Sequence, residues 1–104
     1  MAYVMRRIFH GKPGSGNELI DICRDGNFIV RALGIAIKPR VLSDFNSGRT
    51  DRIVMEWEAE SISELMVFGE EGGDDPVLRE EFAQVFKRLT ELIDHAEVDT
   101  WQTH

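Results

Sequence analysis

The stretch that most restricts this 104-residue chain runs from Thr50 to Phe68. Its first half alternates. Ile53, Met55 and Trp57 fall on one side, and Arg52, Glu56 and Glu58 on the other, with Val54 among them. That is the period of a half-buried β-strand. Its second half opens a helix: Ser61 followed by Glu64 has the spacing of a capping box, in which each side chain satisfies a backbone N–H left free at a helix start. A strand running directly into a capped helix fixes the middle of the fold, and the neighbouring segments are placed from it.

Tyr3 to His10 is rich in strand formers and stops at Gly11. Its facing is ambiguous, because Tyr3, Met5 and Phe9 compete with Val4 and Ile8, and each register carries one arginine. Such a strand reads as central and covered on both faces. Gly11 to Gly16 is a turn cluster, and Ser15 with Glu18 is a second candidate capping box. Leu19, Ile22, Cys23, Gly26, Ile29 or Val30 and Leu33 then recur at helical spacing up to Gly34. Gly26 and Asn27 weaken that helix and mark a kink or a close approach to the sheet. Ile35 to Phe45 is the next strand, with Ile35, Ile37 and Val41 facing one way and Lys38, Arg40 and Asp44 the other. Pro39 places it at an edge, and Asn46 to Arg49 is a hairpin turn into the opening strand. The acidic run Glu70 to Asp75 precedes Pro76, which suits the first position of a helix. That helix carries the stripe Leu78, Phe82, Val85, Phe86, Leu89 and Ile93 and extends to about Asp94. Glu97 to Thr103 is a short closing strand around Val98 and Trp101.

The order β-α-β-β-α-β in one domain spanning residues 1–104 points to an α+β, ferredoxin-like architecture: two helices on one face of a four-stranded antiparallel sheet. One sheet face then has no helices. It would carry Val54, Glu56 and Glu58 beside Ala36, Lys38, Arg40 and Leu42, too charged for a dry core and too apolar for an ordinary wet face. The expectation is a homodimer through these sheet faces, with Lys38, Arg40 and Arg52 paired to Glu56 and Glu58 in a polar-lined interior.

This pattern resembles the dimeric α/β-barrel superfamily, in which two ferredoxin-like protomers join their sheets. Within it, Lys12-Pro13-Gly14 before a helix and Arg52 to Ser61 leading from strand to helix look most like the NIPSNAP group and the antibiotic-biosynthesis monooxygenases. Glu58-Ala59 stands where a second aromatic residue often falls in those families. The haem-degrading branch uses an asparagine on the first strand and a histidine on the second long helix. Tyr3 to His10 has no asparagine and Pro76 to Asp94 no histidine, so haem degradation is not implied.

The net charge of −7, from 19 acidic and 12 basic residues, opposes binding to nucleic acid or an anionic membrane. The third strand also lacks the basic and aromatic pattern of RNA-recognition modules. No apolar run has the length of a membrane span, and one cysteine, Cys23, excludes an intrachain disulfide. A cytoplasmic protein is expected. Gly14-Ser-Gly16 has the form of a phosphate-cradling turn but lacks a third glycine and a following lysine. A capped helix start explains it. His10, His95 and His104 have no metal-ligand spacing, and no metal or cofactor is expected. His10, at the end of the first strand, is the histidine best placed to move a proton. Glu70 to Asp75 lacks the pattern of a calcium loop and reads as a solvated loop or a lid. Cys23 falls on the apolar helical face, as a core residue does.

Trp57 is core or the wall of a cavity for a small apolar or aromatic ligand. Arg40, Arg52, Glu56 and Glu58 read first as interface ion pairing and line the only obvious polar interior; Arg40, Arg52 and Glu56, with Trp57 and His10, are the candidate cavity residues. Two classes of function follow. The first is a non-catalytic dimeric module binding a small ligand or a protein. The second is a cofactor-independent oxygenase or isomerase that holds a ligand on Trp57 and stabilises a developing anion with an arginine or His10. The lack of an acid–base or nucleophile constellation favours the module.

Overall fold

The structure is a computed structural model that describes residues 1–32, 34, 36–45, 51–66 and 76–104. The elements run β1 (Tyr3–Gly11), α1 (Gly16–Ala32), β2 (Lys38–Ser43), β3 (Arg52–Ala59), α2 (Ile62–Met66), α3 (Pro76–Leu92) and β4 (Ile93–Gln102). The sheet order is β2-β3-β1-β4, antiparallel throughout. This is the ferredoxin-like arrangement that the element order implies. β1 is central and β2 is an edge strand, as Pro39 requires. The turn expected at Asn46–Arg49 and the acidic run Glu70–Asp75 lie outside the described residues.

Register settles the facing of β1. Met5 pairs with Trp57, Arg7 with Met55 and Phe9 with Ile53, and directly paired residues share a face. Ile53, Met55 and Trp57 are 1–5% exposed beneath the helices. Tyr3, Met5, Arg7 and Phe9 therefore belong to the helix side, and Val4, Arg6, Ile8 and His10 to the open side. α1 contributes Leu19, Ile22, Cys23, Ile29 and Val30 to the core, and α3 contributes Phe82, Val85 and Leu89. Gly26 lets the two helices and the sheet close together: a Cβ there would stand 3.3 Å from Met55 Cε and 3.5 Å from Val85 Cγ1.

Both helix starts expected from capping boxes form without the box. Ser15 Oγ donates to Lys12 O at 2.7 Å, and a distant carboxylate takes over the cap. Gly14 N–H donates to Asp51 Oδ2 at 3.1 Å and Gly16 N–H to Asp51 Oδ1 at 2.9 Å. Asp51 thus satisfies free amides at the positive end of α1. It also fills the place where a phosphate would bind, which disposes of the cradle reading. At α2, Ser61 Oγ lies 3.0 Å from Ser63 Oγ, and Glu64 Oε2 is buried without a hydrogen-bond partner. Two boundaries differ from expectation. β2 starts at Lys38, three residues after Ile35. β4 starts at Ile93, four residues before Glu97, because Ile93 continues the apolar spacing of Leu89 while already lying in the sheet.

Gly11 joins these parts. Its N–H donates to Asp51 O at 2.9 Å, and the neighbouring Lys12 N–H donates to Leu92 O at 2.8 Å. A Cβ at Gly11 would fall 2.4 Å from Ser15 Oγ, 2.6 Å from Leu19 Cδ1 and 2.7 Å from Asp51 O. Gly11→Ala is therefore expected to cost about 2–3 kcal/mol in urea unfolding. A loss below about 0.5 kcal/mol, typical of a neutral surface change, would contradict this packing.

Candidate functional site

The candidate residues divide between the two faces of the sheet. Trp57 is on the helix side, 1% exposed. Its indole N–H donates to Asn27 Oδ1 at 3.0 Å inside the core. This bond satisfies two buried polar groups at once and explains why an asparagine sits on the buried side of α1. Trp57 is thus a core residue. His10, Arg40, Arg52 and Glu56 are on the open face and do not meet Trp57.

On the open face the charges are paired within the protomer. Arg40 Nε donates to Glu56 Oε1 at 2.6 Å, and Lys38 Nζ lies 4.0 Å from Glu58 Oε2. Arg52 differs: its Nε donates to Asp44 Oδ2 at 2.8 Å. Arg6 donates through Nε and Nη2 to both oxygens of Asp99 at 2.9 Å, and its guanidinium lies 5.2 Å from the Trp101 ring centroid. Trp101 Nε1 also donates to Asp99 Oδ1 at 2.7 Å. A depression of about 270 Å³ on this face is bordered by Arg6, Ile8, Leu42, Asp44, Arg52 and Val54. At the end of β1, His10 stacks on His95 with ring centroids 4.1 Å apart and 9° between planes. Sequence spacing gave no sign of this, because the pair arises from strand register.

The residue that sequence reasoning left unassigned is Arg7. It enters the helix side of the central strand, where apolar side chains surround it. Its guanidinium lies 5.5 Å from the Trp57 ring centroid and 5.4 Å from that of Phe86. Among the described residues no hydrogen bond or ion pair reaches it, and Nε is buried and unsatisfied. Burial pushes its pKa down from the ordinary arginine value, although a guanidinium stays charged throughout the working range. A partly buried cation whose only contacts among the described residues are two aromatic rings is costly in proportion to its burial. Beside it the layer is open: Val98, paired with Arg7 across β1 and β4, is 59% exposed. The signal available in the sequence was the Arg6-Arg7 doublet inside a strand, which must send one arginine to each face.

Cys23 is buried, and desolvation pushes its thiol up to about 12, so it does not act as a nucleophile. No helix among the described residues is long and apolar enough to cross a membrane.

No protein-family model matches the sequence, and no curated relative matches it. Solved structures do match the fold. A NIPSNAP family protein from Agrobacterium tumefaciens superposes with a TM-score of 0.75 at 16% identity, over 100% of this chain and 94% of that one. An antibiotic biosynthesis monooxygenase superposes with a TM-score of 0.70 at 13% identity, over 100% and 99%. A dimeric protein of unknown function with a ferredoxin-like fold, from Bacteroides fragilis, gives 0.63 at 16%, over 98% and 96%. The fold is therefore shared with NIPSNAP and monooxygenase-like proteins, as the sequence pattern implies.

The Arg6–Asp99 pair gives a pH test. The hydrogen bond from Arg6, with a further one from Trp101, holds the Asp99 carboxyl below the usual carboxylate range despite some desolvation. A lowered folded pKa contributes stability above the unfolded value of about 4, and that contribution is lost as pH falls through the folded value. The pair is about a third exposed, so the effect is modest. Asp99→Asn is expected to lower the melting temperature at pH 7 and to leave it unchanged near pH 2. An equal loss at both would contradict the linkage.

Proposed function

We propose that the protein is a homodimeric binding module for a small aromatic or apolar ligand that carries an anionic group, with Arg7 as the anion's partner. The carrying observation is the Arg7 guanidinium near the Trp57 and Phe86 rings, with a buried, unsatisfied Nε and no ion pair among the described residues. A partly buried cation with no carboxylate beside it among the described residues favours an anion, because its interactions there are less screened than at an open surface. The half-buried Phe86 ring offers apolar surface beside it, and Trp57, closed within the core, backs the guanidinium. Val98, paired with Arg7 on β4, is 59% exposed, so the edge of the layer beside Arg7 faces solvent.

The homodimer rests on the open face. Its charges are already paired in the plane of the sheet, so a second copy can cover them without stranding one. Leu42 and Trp101 are 40% and 56% exposed there and gain from burial. A dimeric ferredoxin-like neighbour adds support by analogy. The second reading is a cofactor-independent oxygenase or isomerase. It uses the same cation to stabilise a developing oxyanion, and the monooxygenase neighbour favours it. A binding module leaves the bound molecule unchanged; an enzyme converts it.

Benzoate, with benzamide as its neutral counterpart, serves as the probe for Arg7. Benzoate is expected to raise the melting temperature of the wild type, benzamide to have at most a slight effect, and Arg7→Met to abolish the benzoate shift. Arg7→Met itself is expected to be at least as stable as the wild type, since it removes a partly buried charge whose Nε is unsatisfied. Equal responses to the two probes, or an unaltered benzoate shift in Arg7→Met, would sink the ligand reading. For assembly, light scattering at micromolar protein is expected to report a dimer that Trp101→Glu dissociates, and a wild-type monomer would overturn it.

A further inference from the structure

The corner of the open face where β1 meets β4 carries a second, separate constellation. His10 and His95 are directly paired across the strands, and Glu97 lies two residues beyond His95 on the same face. The register shifts between His10 and Gly11, where Gly11 pairs with Ile93 and Asp94 is passed over. Such a bulge turns neighbouring side chains out of the regular ladder. It sits beside the place where the two imidazoles stack.

We propose that His10, His95 and Glu97 bind a divalent first-row transition ion of the zinc type. Their three ligating atoms all lie within 4.8 Å of one another. Glu97 Oε1 stands 3.4 Å from His10 Nε2 and 4.0 Å from His95 Nε2. Donors about 2.0–2.2 Å from a four-coordinate zinc stand roughly 3.3–3.5 Å apart. The His10–Glu97 separation already meets that requirement; for both imidazoles to ligate, His95 must leave its stack on His10 and turn its nitrogen inward, which its 60% exposure and the 61% exposure of Glu97 allow. His10 is the anchor: its side chain is only 14% exposed, and its Nε2 is buried with no hydrogen-bond partner. A metal would use that nitrogen.

The donor set selects the class of ion. Two imidazoles and one carboxylate suit zinc, cobalt or nickel rather than calcium or magnesium, which prefer oxygen donors. The nearby cation does not forbid it. Arg52, paired with His10 across β1 and β3, is neutralised by Asp44. Three protein donors leave a coordination position for water or a ligand, as in sites where zinc polarises a bound group. The corner lies on the face opposite Arg7, so the two assignments stand or fall separately.

The test uses untagged full-length protein. Calorimetric titration with Zn²⁺ is expected to give one ion per chain with a Kd of about micromolar or tighter. Co²⁺ is expected to develop the visible absorption of a low-coordinate nitrogen- and oxygen-ligated ion. His10→Ala and the exposed-site variant His95→Gln each weaken binding by about tenfold or more, Glu97→Gln weakens it likewise, and His104→Ala leaves it unchanged. No saturable binding by the wild type below about 100 μM Zn²⁺, or binding that survives His95→Gln and is lost in His104→Ala, would overturn the site.

Discussion

The structure depends on a doublet of arginines at the middle of its central strand. A β-strand sends consecutive side chains to opposite faces, so Arg6 and Arg7 must enter opposite environments. Arg6 meets Asp99 with both ends of its fork and lies over Trp101. Arg7 meets only rings. One face therefore holds a cation paired with a carboxylate, and the other a cation with no carboxylate partner among the described residues, within a single residue step. A core built for stability alone would place a methionine or leucine at position 7.

The rest of the helix side is arranged to tolerate that cation. Trp57 is fixed by its bond to Asn27, so its ring cannot rotate away from the guanidinium without breaking a buried hydrogen bond. Gly26 brings α1 close to Met55 and Val85, which seats α3, and with it Phe86, near Arg7. The start of α1 is held from Asp51, at the approach to β3. On the open side, in-plane ion pairing satisfies most of the charges, while His10 Nε2 at the histidine corner is buried without a hydrogen-bond partner. The two faces thus carry different groups on one sheet: a partly buried arginine against aromatic rings beneath the helices, and a stacked histidine pair beside a glutamate on the other side.

Much of this fold was legible because β3 alternates strongly. Ile53, Met55 and Trp57 against Arg52, Glu56 and Glu58 admit only one facing, and Pro39 and Pro76 mark an edge and a helix start by what proline cannot do. β1 was illegible for the opposite reason, since both of its registers hold apolar residues and an arginine. Its facing is decided only by pairing with β3. The same limit explains the site. Trp57 was grouped with His10, Arg40, Arg52 and Glu56, but it has the opposite parity on its strand from Arg52 and Glu56, and the sheet separates it from all four. The His10–His95 contact and the Asp51 cap join residues far apart in sequence, so no local spacing reveals them. Ile93 misled in another way, because it extends the helical apolar stripe while its backbone is already strand.

The account turns on whether Arg7 is a cation waiting for an anion. The NMR resonance of its Nε–Hε group reports this directly, since that proton is buried and without an acceptor. The account predicts a resonance that exchanges slowly with water and moves downfield, with saturation, as benzoate is added, while benzamide leaves it in place. A resonance that exchanges as fast as that of an exposed arginine, or that ignores benzoate, would contradict it.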